Sequence, residues 1–438
     1  MKLIFSSLQW ALFILTSSVV IPVAIAADYG LDSIETIEFV QRTLFALGLA
    51  GLLQTFFGHH LPVQEGPAGL WWGVFSLYAG LGTVLFESHM ETLRVLQYAF
   101  LLSGVIFILL SVFGLVEKLA RLFTPAVTGI YLILMVIQLS SSFVQGMFGL
   151  ENPDDTVHTN VLMLSVLIII LSYLFMKIPK IGHYTVLFSI VFGWLLFSLF
   201  GLSEPVTKVN TLINLPKIFA FGSPRIEPNM IIMVIFITLL LLANMLATVR
   251  VVQQVLKRHH VQFEENRLKQ SGIISGVNQL LGGLFSAIGA VPISGSAGFI
   301  ATTKITSKLP FIIGSLIIVG ISLFPPFTAF VAAIPKAVGY AAIFPIFAGI
   351  IGLALQEFEA AENKRILFQV AGISLFAGIG TMFIPSDAFS TMPPTLVSIL
   401  SNGLVFGALV AIVTEAILTR KAKGDKRKIH LENKEKEA

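Results

Sequence analysis

The sequence predicts an all-α integral membrane protein of 14 transmembrane segments in two inverted 7-span repeats, with short antiparallel β-strands preceding half-helices 3 and 10. Three observations predict it: a composition too apolar for a water-facing surface, a series of apolar runs of membrane-crossing length, and one motif that occurs twice, half a chain apart.

Of 438 residues, 55% are hydrophobic and only 12% charged, with a mean hydropathy of +0.89; soluble chains carry about 25% charged residues. A helix crosses ~30 Å of hydrocarbon in roughly 20 residues, so there is room for about a dozen spans or more in one membrane domain. The formal charge of +4 does not point to nucleic acid, because the basic residues sit in short loops and in the tail, where they act as topology signals. Cysteine is absent, which excludes disulfides, thiolate chemistry and Cys-ligated metals. Lys2, an apolar run from Leu8 and Ala24-Ile25-Ala26 mimic a cleavable secretory signal. The run is long for a signal core and contains Pro22, so it reads as the first span.

Apolar runs bounded by Gly, Pro or charge place spans at 8–27, 36–57, 70–86, 93–115, 123–148, 159–177, 183–201, 228–253, 271–289, 297–306, 309–331, 337–356, 366–384 and 394–419. Alternating the loops sorts the charges. Lys118 and Arg121, Lys177 and Lys180, Lys257 to Lys269, Lys304 and Lys308, and Lys364 and Arg365 fall on one side. Glu151, Asp154 and Asp155 fall on the other, where Lys208, Lys217 and Arg225 are exceptions. The basic side is cytoplasmic by the positive-inside rule, which puts both termini in the cytoplasm and the chain in the cytoplasmic (inner) membrane. The Lys- and Glu-rich tail from Arg420 is expected to be a solvated, partly disordered end.

The repeat is the most informative feature. Gly51-Leu52-Leu53-Gln54-Thr55-Phe56-Phe57-Gly58, then Leu61-Pro62, then Gly66-Pro67-Ala68-Gly69-Leu70 occurs in the first half. Gly282-Gly283-Leu284-Phe285-Ser286-Ala287-Ile288-Gly289, then Val291-Pro292, then Gly295-Ser296-Ala297-Gly298-Phe299 occurs in the second. An odd number of spans separates the copies, so they face opposite ways, the inverted design of secondary transporters. Proline cannot donate to a helix ladder and pushes its predecessor to extended geometry, so Pro62 and Pro292 are expected to unwind the chain within the membrane. Unwound backbone survives there only where protein or a water-filled cavity satisfies it, and two opposed stretches satisfy each other as a β-ribbon. The following short helices then aim free N–H groups and positive dipole ends at a ligand, with Gly66 and Gly295 allowing close approach. The plainer reading, small residues serving only helix packing, suits one copy better than two.

At these residues the chain resembles the nucleobase–ascorbate transporters, the uracil and xanthine permease family. The resemblance covers essentially the whole chain: Ser7-Leu8-Gln9 opening a first span that ends in Val20-Ile21-Pro22-Val23, the Pro62/Gly66 break, Asn278 to Pro292, and a basic tail. It implies a core domain of spans 1–4 (1–121) and 8–11 (227–332), a gate domain of spans 5–7 (122–226) and 12–14 (333–420), and a charged tail at 421–438. It also implies import of a purine or pyrimidine base coupled to H+ or Na+, without a further cofactor, in a homodimer.

Carried over by position, the substrate-binding candidates are Asn244 and Thr248 on the eighth span, Ala68 and Gly69 at the third segment, and Ser294, Ala297, Gly298 and Phe299 at the tenth. Asn244 stands where the family usually has a carboxylate, keeping donor and acceptor but losing the charge. Ser294 replaces the family's Thr, Gly298 its Glu or Gln, and Trp10 its first-span histidine. Glu65 stands where the family has an apolar residue, and an ionisable group at that depth is a functional candidate by default. It either carries the coupling proton or points into a cytoplasmic vestibule beside His59 and His60 and stays hydrated. Trp71 and Trp72 read as packing ahead of base stacking, and Asn278 and Gln279 as interhelical glue ahead of braces for the broken helices. No set of histidines and carboxylates has ligand spacing, so no metal site is expected. Neither a phosphate-binding loop nor a nucleophile elbow occurs, so nothing points to ATP-driven pumping or hydrolysis, and the chain is not expected to be an enzyme. The expected activity is nucleobase uptake by proton symport and alternating access. The alternatives are an anion transporter of the same fold or a non-transport membrane scaffold.

Overall fold

The computed structural model describes residues 2–437 apart from 117, 119–121, 123, 151–155, 179–181, 183–184, 204, 386–387, 389–391, 393–395, 397–398 and 401. Arg121, Glu151, Asp154, Asp155 and Lys180, used above to sort the loops, lie outside the described residues. The chain divides into two compact units, one of Met1–Ala120 and Leu139–Ile346, the other of Arg121–Gln138 and Phe347–Ala438. The boundaries at 138/139 and 346/347 fall inside helices.

The first unit is helical around one small ribbon. Its helices are α1 (Lys2–Ser18), α2 (Val20–Asp28), α3 (Ser33–Phe56), α4 (Gly69–Phe86), α5 (His89–Val112), the later part of α6 (Pro125–Met147), α7 (Thr159–Lys177), α8 (Thr185–Leu199), α9 (Ile231–Arg258), α10 (Leu268–Leu284), α11 (Gly295–Thr303), α12 (Lys308–Ser322), α13 (Pro325–Ala332) and the start of α14 (Lys336–Ala360). β1 (Glu65–Pro67) and β2 (Ala290–Pro292) pair antiparallel. The polar ends are capped by sequence: Asp32 and Glu35 form a reciprocal capping box on α3, and Ser88 caps α5.

The second unit comprises the first part of α6, the rest of α14, α15 (Lys364–Met382) and α16 (Gly403–Glu437). α15 packs along α16, and Thr124 donates to Glu415 Oε2 at 2.6 Å. α16 continues as one helix through the tail expected to be partly disordered, where Lys, Glu and Ala are strong helix formers.

Among the described residues ten helices, with α1–α2 counted as one, are long and apolar enough to cross a membrane, or eleven if the bent pair α12–α13 is one span. The eleventh span, expected as a continuous 309–331, is therefore corrected: it bends by 89° between Ser322 and Pro325. Pro325 and Pro326 have no N–H to give, and Phe324 before them is extended. α8, α10 and α11 are shorter than a full crossing.

Within the first unit α5 packs along α10, α12 packs on α1 and α3, and α7 packs on α8. The α5–α10 seam needs glycine: a Cβ at Gly104 would stand 2.7 Å from the Gly276 carbonyl, and one at Gly276 would stand 2.7 Å from the Gly104 carbonyl. Small residues that bring backbones together are the usual means of helix association where lipid removes the hydrophobic drive. Gly104→Leu is therefore expected to cost about 1–3 kcal/mol by overpacking, read as a lower unfolding temperature of the purified protein, with Gly80→Leu, where a Cβ meets nothing, as the unaffected control.

Candidate functional site

The two breaks meet. Glu65 pairs with Pro292, Gly66 with Val291 and Pro67 with Ala290. The ladder is extended by Ile293 N–H donating to Gln64 O at 2.9 Å and Ala68 N–H donating to Gly289 O at 3.1 Å. Hydrogen-bonded pairs thus fall at 64–293, 66–291 and 68–289, and pairs 65–292 and 67–290 do not exchange bonds. Pro67 and Pro292 both occupy the latter class, where the missing N–H would point out of the ladder and costs nothing. Gly66 is required by the facing strand, because a Cβ there would stand 2.6 Å from Ile293 Cγ1.

This register corrects the sequence alignment of the repeat. α3 ends at Phe56, several residues before Pro62, and the chain turns at His60, whose φ is +60°. Pro62 lies outside the ladder, and the counterpart of Pro292 is Pro67. Likewise Gly69 opens α4 as Gly295 opens α11, so Gly298 lies one turn inside its half-helix.

Side chains take up the outward carbonyls of the ribbon. Gln279 Nε2 donates to Ala290 O at 2.7 Å, and its Oε1 accepts from Trp71 Nε1 at 2.8 Å. Asn244 Nδ2 donates to Pro292 O at 3.2 Å. The Gln64 side chain ties the ribbon to α1, its Nε2 donating to the Ser17 and Ser18 hydroxyls, while its backbone N–H donates to Ser296 Oγ. α9, α10 and α1 therefore all hold one small ribbon.

The predicted site residues separate into two sets. Ser294, Gly295 and Gly298 are exposed, Asn244 and Gly69 are half-buried, and a Cβ on Gly298 would meet nothing. Ala68, Thr248, Ala297 and Phe299 are buried. Phe299 packs its ring on Trp10 and Phe13, with centroids 4.3 and 4.7 Å away. The expectation of bare amides at both helix starts holds unevenly. Neither α4 nor α11 has a side-chain cap, but the Ala68 N–H is spent on Gly289 and those of Ser296 and Ala297 on Ile293 and Ser294 carbonyls. Trp71 and Trp72 are fully buried, Trp71 against Phe100 and Trp72 against Phe143 and Tyr340. Tyr340 also lines a cavity of about 1140 Å³ whose wall includes Asp28, Ser76, Gln145, His158 and Lys336.

Glu65 does not face a hydrated vestibule; it is 1% exposed. Its Oε1 lies 3.8 Å from His59 Nε2 and its Oε2 lies 3.5 Å from Asn278 Nδ2. The next residue, His60, turns outward to Glu264 at 3.2 Å, and Arg267 joins Glu264 at 2.8 Å while donating to the carbonyls of Gly58 and Phe57. Arg267 first, then His60, hold the Glu264 carboxyl below the usual carboxylate range. Among the described residues no cluster of three metal-ligating groups occurs.

Residues 1–387 match the family model Xan_ur_permease, described as a permease family. The chain belongs to that family. It is 42% identical over 432 residues to "Putative purine permease YwdJ" of Bacillus subtilis (strain 168), covering 97% of this chain and 98% of that one. It is 25% identical over 421 residues to the xanthine permease of the same organism, covering 94% and 92%. Among solved structures, the transmembrane domain of a cyanobacterial bicarbonate transporter, BicA, shares its fold at a TM-score of 0.57 and 14% identity, covering 94% of this chain and 97% of that one. The permease is thus a multi-pass membrane transporter and not an enzyme.

Sequence reasoning set His59 beside Glu65 without pairing the two, and weighed Gln279 as a brace of the broken helices only behind plain interhelical packing. Both are polar residues beside a predicted break, and that adjacency is the available signal. Gln279→Leu leaves the Trp71 indole N–H and the Ala290 carbonyl unpaired, at about 1–3 kcal/mol each. The expected outcome is a permease that unfolds at lower temperature, whereas Gln279→Glu, which can still accept from Trp71, loses less.

Proposed function

We propose that the permease imports a nucleobase, in the first instance a purine such as xanthine or guanine, with uracil as the pyrimidine candidate, by proton symport and alternating access. The single observation that carries this is the exposed start of α11 beside the half-buried Asn244, on a chain of this permease family 42% identical to a protein named as a purine permease. The base sits between Asn244, whose amide offers donor and acceptor edges, and the backbone at Gly69, Ser294 and Gly298. No covalent step is needed. A wrong base leaves buried polar groups unpaired, at about 1–3 kcal/mol per group.

In this reading α8, α10 and half-helix α11 complete fourteen membrane segments in two inverted halves, with both termini cytoplasmic in the inner membrane of a homodimer. A core of 1–121 and 227–332 moves against a gate of 122–226 and 333–420. Glu65 takes the coupling proton. Burial of a lone carboxyl beside an unwound strand supports that role, since such a group in a membrane protein marks an ion or proton pathway.

A second reading is favoured by one observation. Both usual family carboxylates are replaced, by Asn244 and Gly298, so positive helix ends face the site without a counter-charge, a field that suits an anion. Purified permease in proteoliposomes, given labelled xanthine, guanine or uracil under imposed proton or sodium gradients, separates the two. Base uptake driven by the proton gradient and indifferent to bicarbonate or sulfate is expected. Anion uptake with no base uptake overturns the proposal.

Two variants sharpen it. Asn244→Ala is expected to cut base uptake about tenfold or more, the loss of one buried hydrogen-bonding group, while Asn244→Asp restores the family carboxylate and retains uptake. Glu65→Gln is expected to remove the dependence of uptake on external pH; a pH profile matching the parent protein rules out the coupling role.

A further inference from the structure

Glu65 Oε1, His59 Nε2 and Asn278 Oδ1 are buried and have no hydrogen-bond partner, and all three residues are 1% exposed. Buried polar atoms are nearly always paired, so three orphans around one carboxyl require a cause. His59 Nδ1 accepts the N–H of Leu61 at 3.0 Å. A neutral imidazole accepting there carries its proton on Nε2, the atom 3.8 Å from Glu65 Oε1. Asn278 Nδ2 approaches the other oxygen at 3.5 Å. Two N–H donors thus address the carboxyl, one to each oxygen, and neither is fully engaged.

The spare atom on Asn278 is an acceptor. An asparagine amide carries both a donor and an acceptor, and turning it over exchanges them at almost no change in shape. Facing Glu65 with its NH2 it suits the ionised carboxylate; facing it with Oδ1 it accepts from a protonated carboxyl. We propose that His59 and Asn278 are positioning residues for the proton on Glu65, Asn278 serving both protonation forms by turning its amide over while His59 Nε2–H holds the second oxygen. This rests on the reading of Glu65 as proton carrier. On loading, an O–H bond of a hydronium ion breaks as one O–H bond forms on a carboxylate oxygen, leaving water; on release that O–H bond breaks and the proton passes back to a water molecule.

The consequence reaches the substrate site through neighbouring residues on α10. Asn278 holds β1 through Glu65, and Gln279 holds β2 through Ala290 O and the first turn of α4 through Trp71. Exchange of the Asn278 amide therefore alters the hold on one strand while the other stays fixed. The charged and titratable groups bearing on the pair lie on its solvent side: His60, Lys308 and Arg267 beside His59, with Glu264 beyond His60. From the interior, α1 presents Ser17 and Ser18 through Gln64, and α3 presents Gln54, whose Nε2 donates to Ser271 O and Ser275 Oγ.

The test reads protonation directly. In the purified full-length permease, the infrared carboxylic C=O band that disappears in Glu65→Gln is titrated with pH. Asn278→Leu removes the donor of the ionised form together with the acceptor of the protonated one, so it is expected to move the midpoint little and to shift the carboxylic C=O band to higher frequency. His59→Leu removes only a donor that favours the ionised form and is expected to move the midpoint to higher pH by about one unit, the size of one hydrogen bond to a charged group. His59→Gln, which keeps a terminal N–H, is expected to return most of that shift. Size-exclusion profiles matching the parent protein establish that the variants are folded. A midpoint unmoved in folded His59→Leu, or a C=O band unshifted in folded Asn278→Leu, overturns the inference even if xanthine uptake is robust. The expected shifts in a protein that takes up no base leave the inference standing and sink the cargo assignment instead. Absence of a Glu65 band at every pH overturns both the inference and the carrier role.

Discussion

Unwound backbone inside a membrane has to find every hydrogen bond within the protein, and the permease meets that constraint by pairing its two breaks with each other. What remains outside the ladder goes to side chains on three helices: Ala290 O to Gln279, Pro292 O to Asn244, and the Gln64 backbone N–H to Ser296. The prolines that break the helices are placed where the ladder asks for no donor. α4 and α11 can therefore begin beside the ribbon, with Ser294, Gly295 and Gly298 left open as a mouth.

In the proposed function the same constraint joins binding to coupling. Asn244 supports the ribbon and presents its amide to the open side, while Glu65 lies in the strand that Asn244 reaches through Pro292. A carboxyl placed there changes its demand for donors with every proton it gains or loses, and the side chains that meet the demand sit next to the brace of the other strand. The buried carboxyl is thereby linked through α10 to the second strand and to the start of α4.

The sequence showed the breaks because glycine and proline have strong local consequences, and it showed them to be opposed because span counting gives orientation. It misplaced the register. Pro62 and Pro292 occupy matching places in the repeated motif, yet Pro67 is the residue that shares the ladder with Pro292, since only the pairing decides which proline has its missing N–H turned outward. The bend at Pro325-Pro326 carried a local signal, and an apolar run of spanning length masked it. Glu65 was legible as an oddity beside His59 and His60, but not which histidine it meets: the two are adjacent in sequence, and a left-handed turn at His60 sends one inward and the other to Glu264. Asn278 and Gln279 looked like generic polar glue, because the strand carbonyl and carboxyl they serve lie outside α10.

The central claim is the ribbon itself, and the absence of native cysteine makes it directly testable. Pro67→Cys combined with Ala290→Cys places two thiols on a non-hydrogen-bonded pair, where Cα atoms about 4.5 Å apart are within disulfide reach. With a protease site inserted in the 205–223 loop, oxidation of the protein in native membranes is expected to keep the two halves together on a non-reducing gel and to release them on reduction. Halves that separate fully without reductant, in a folded double variant, would mean that the two breaks do not meet.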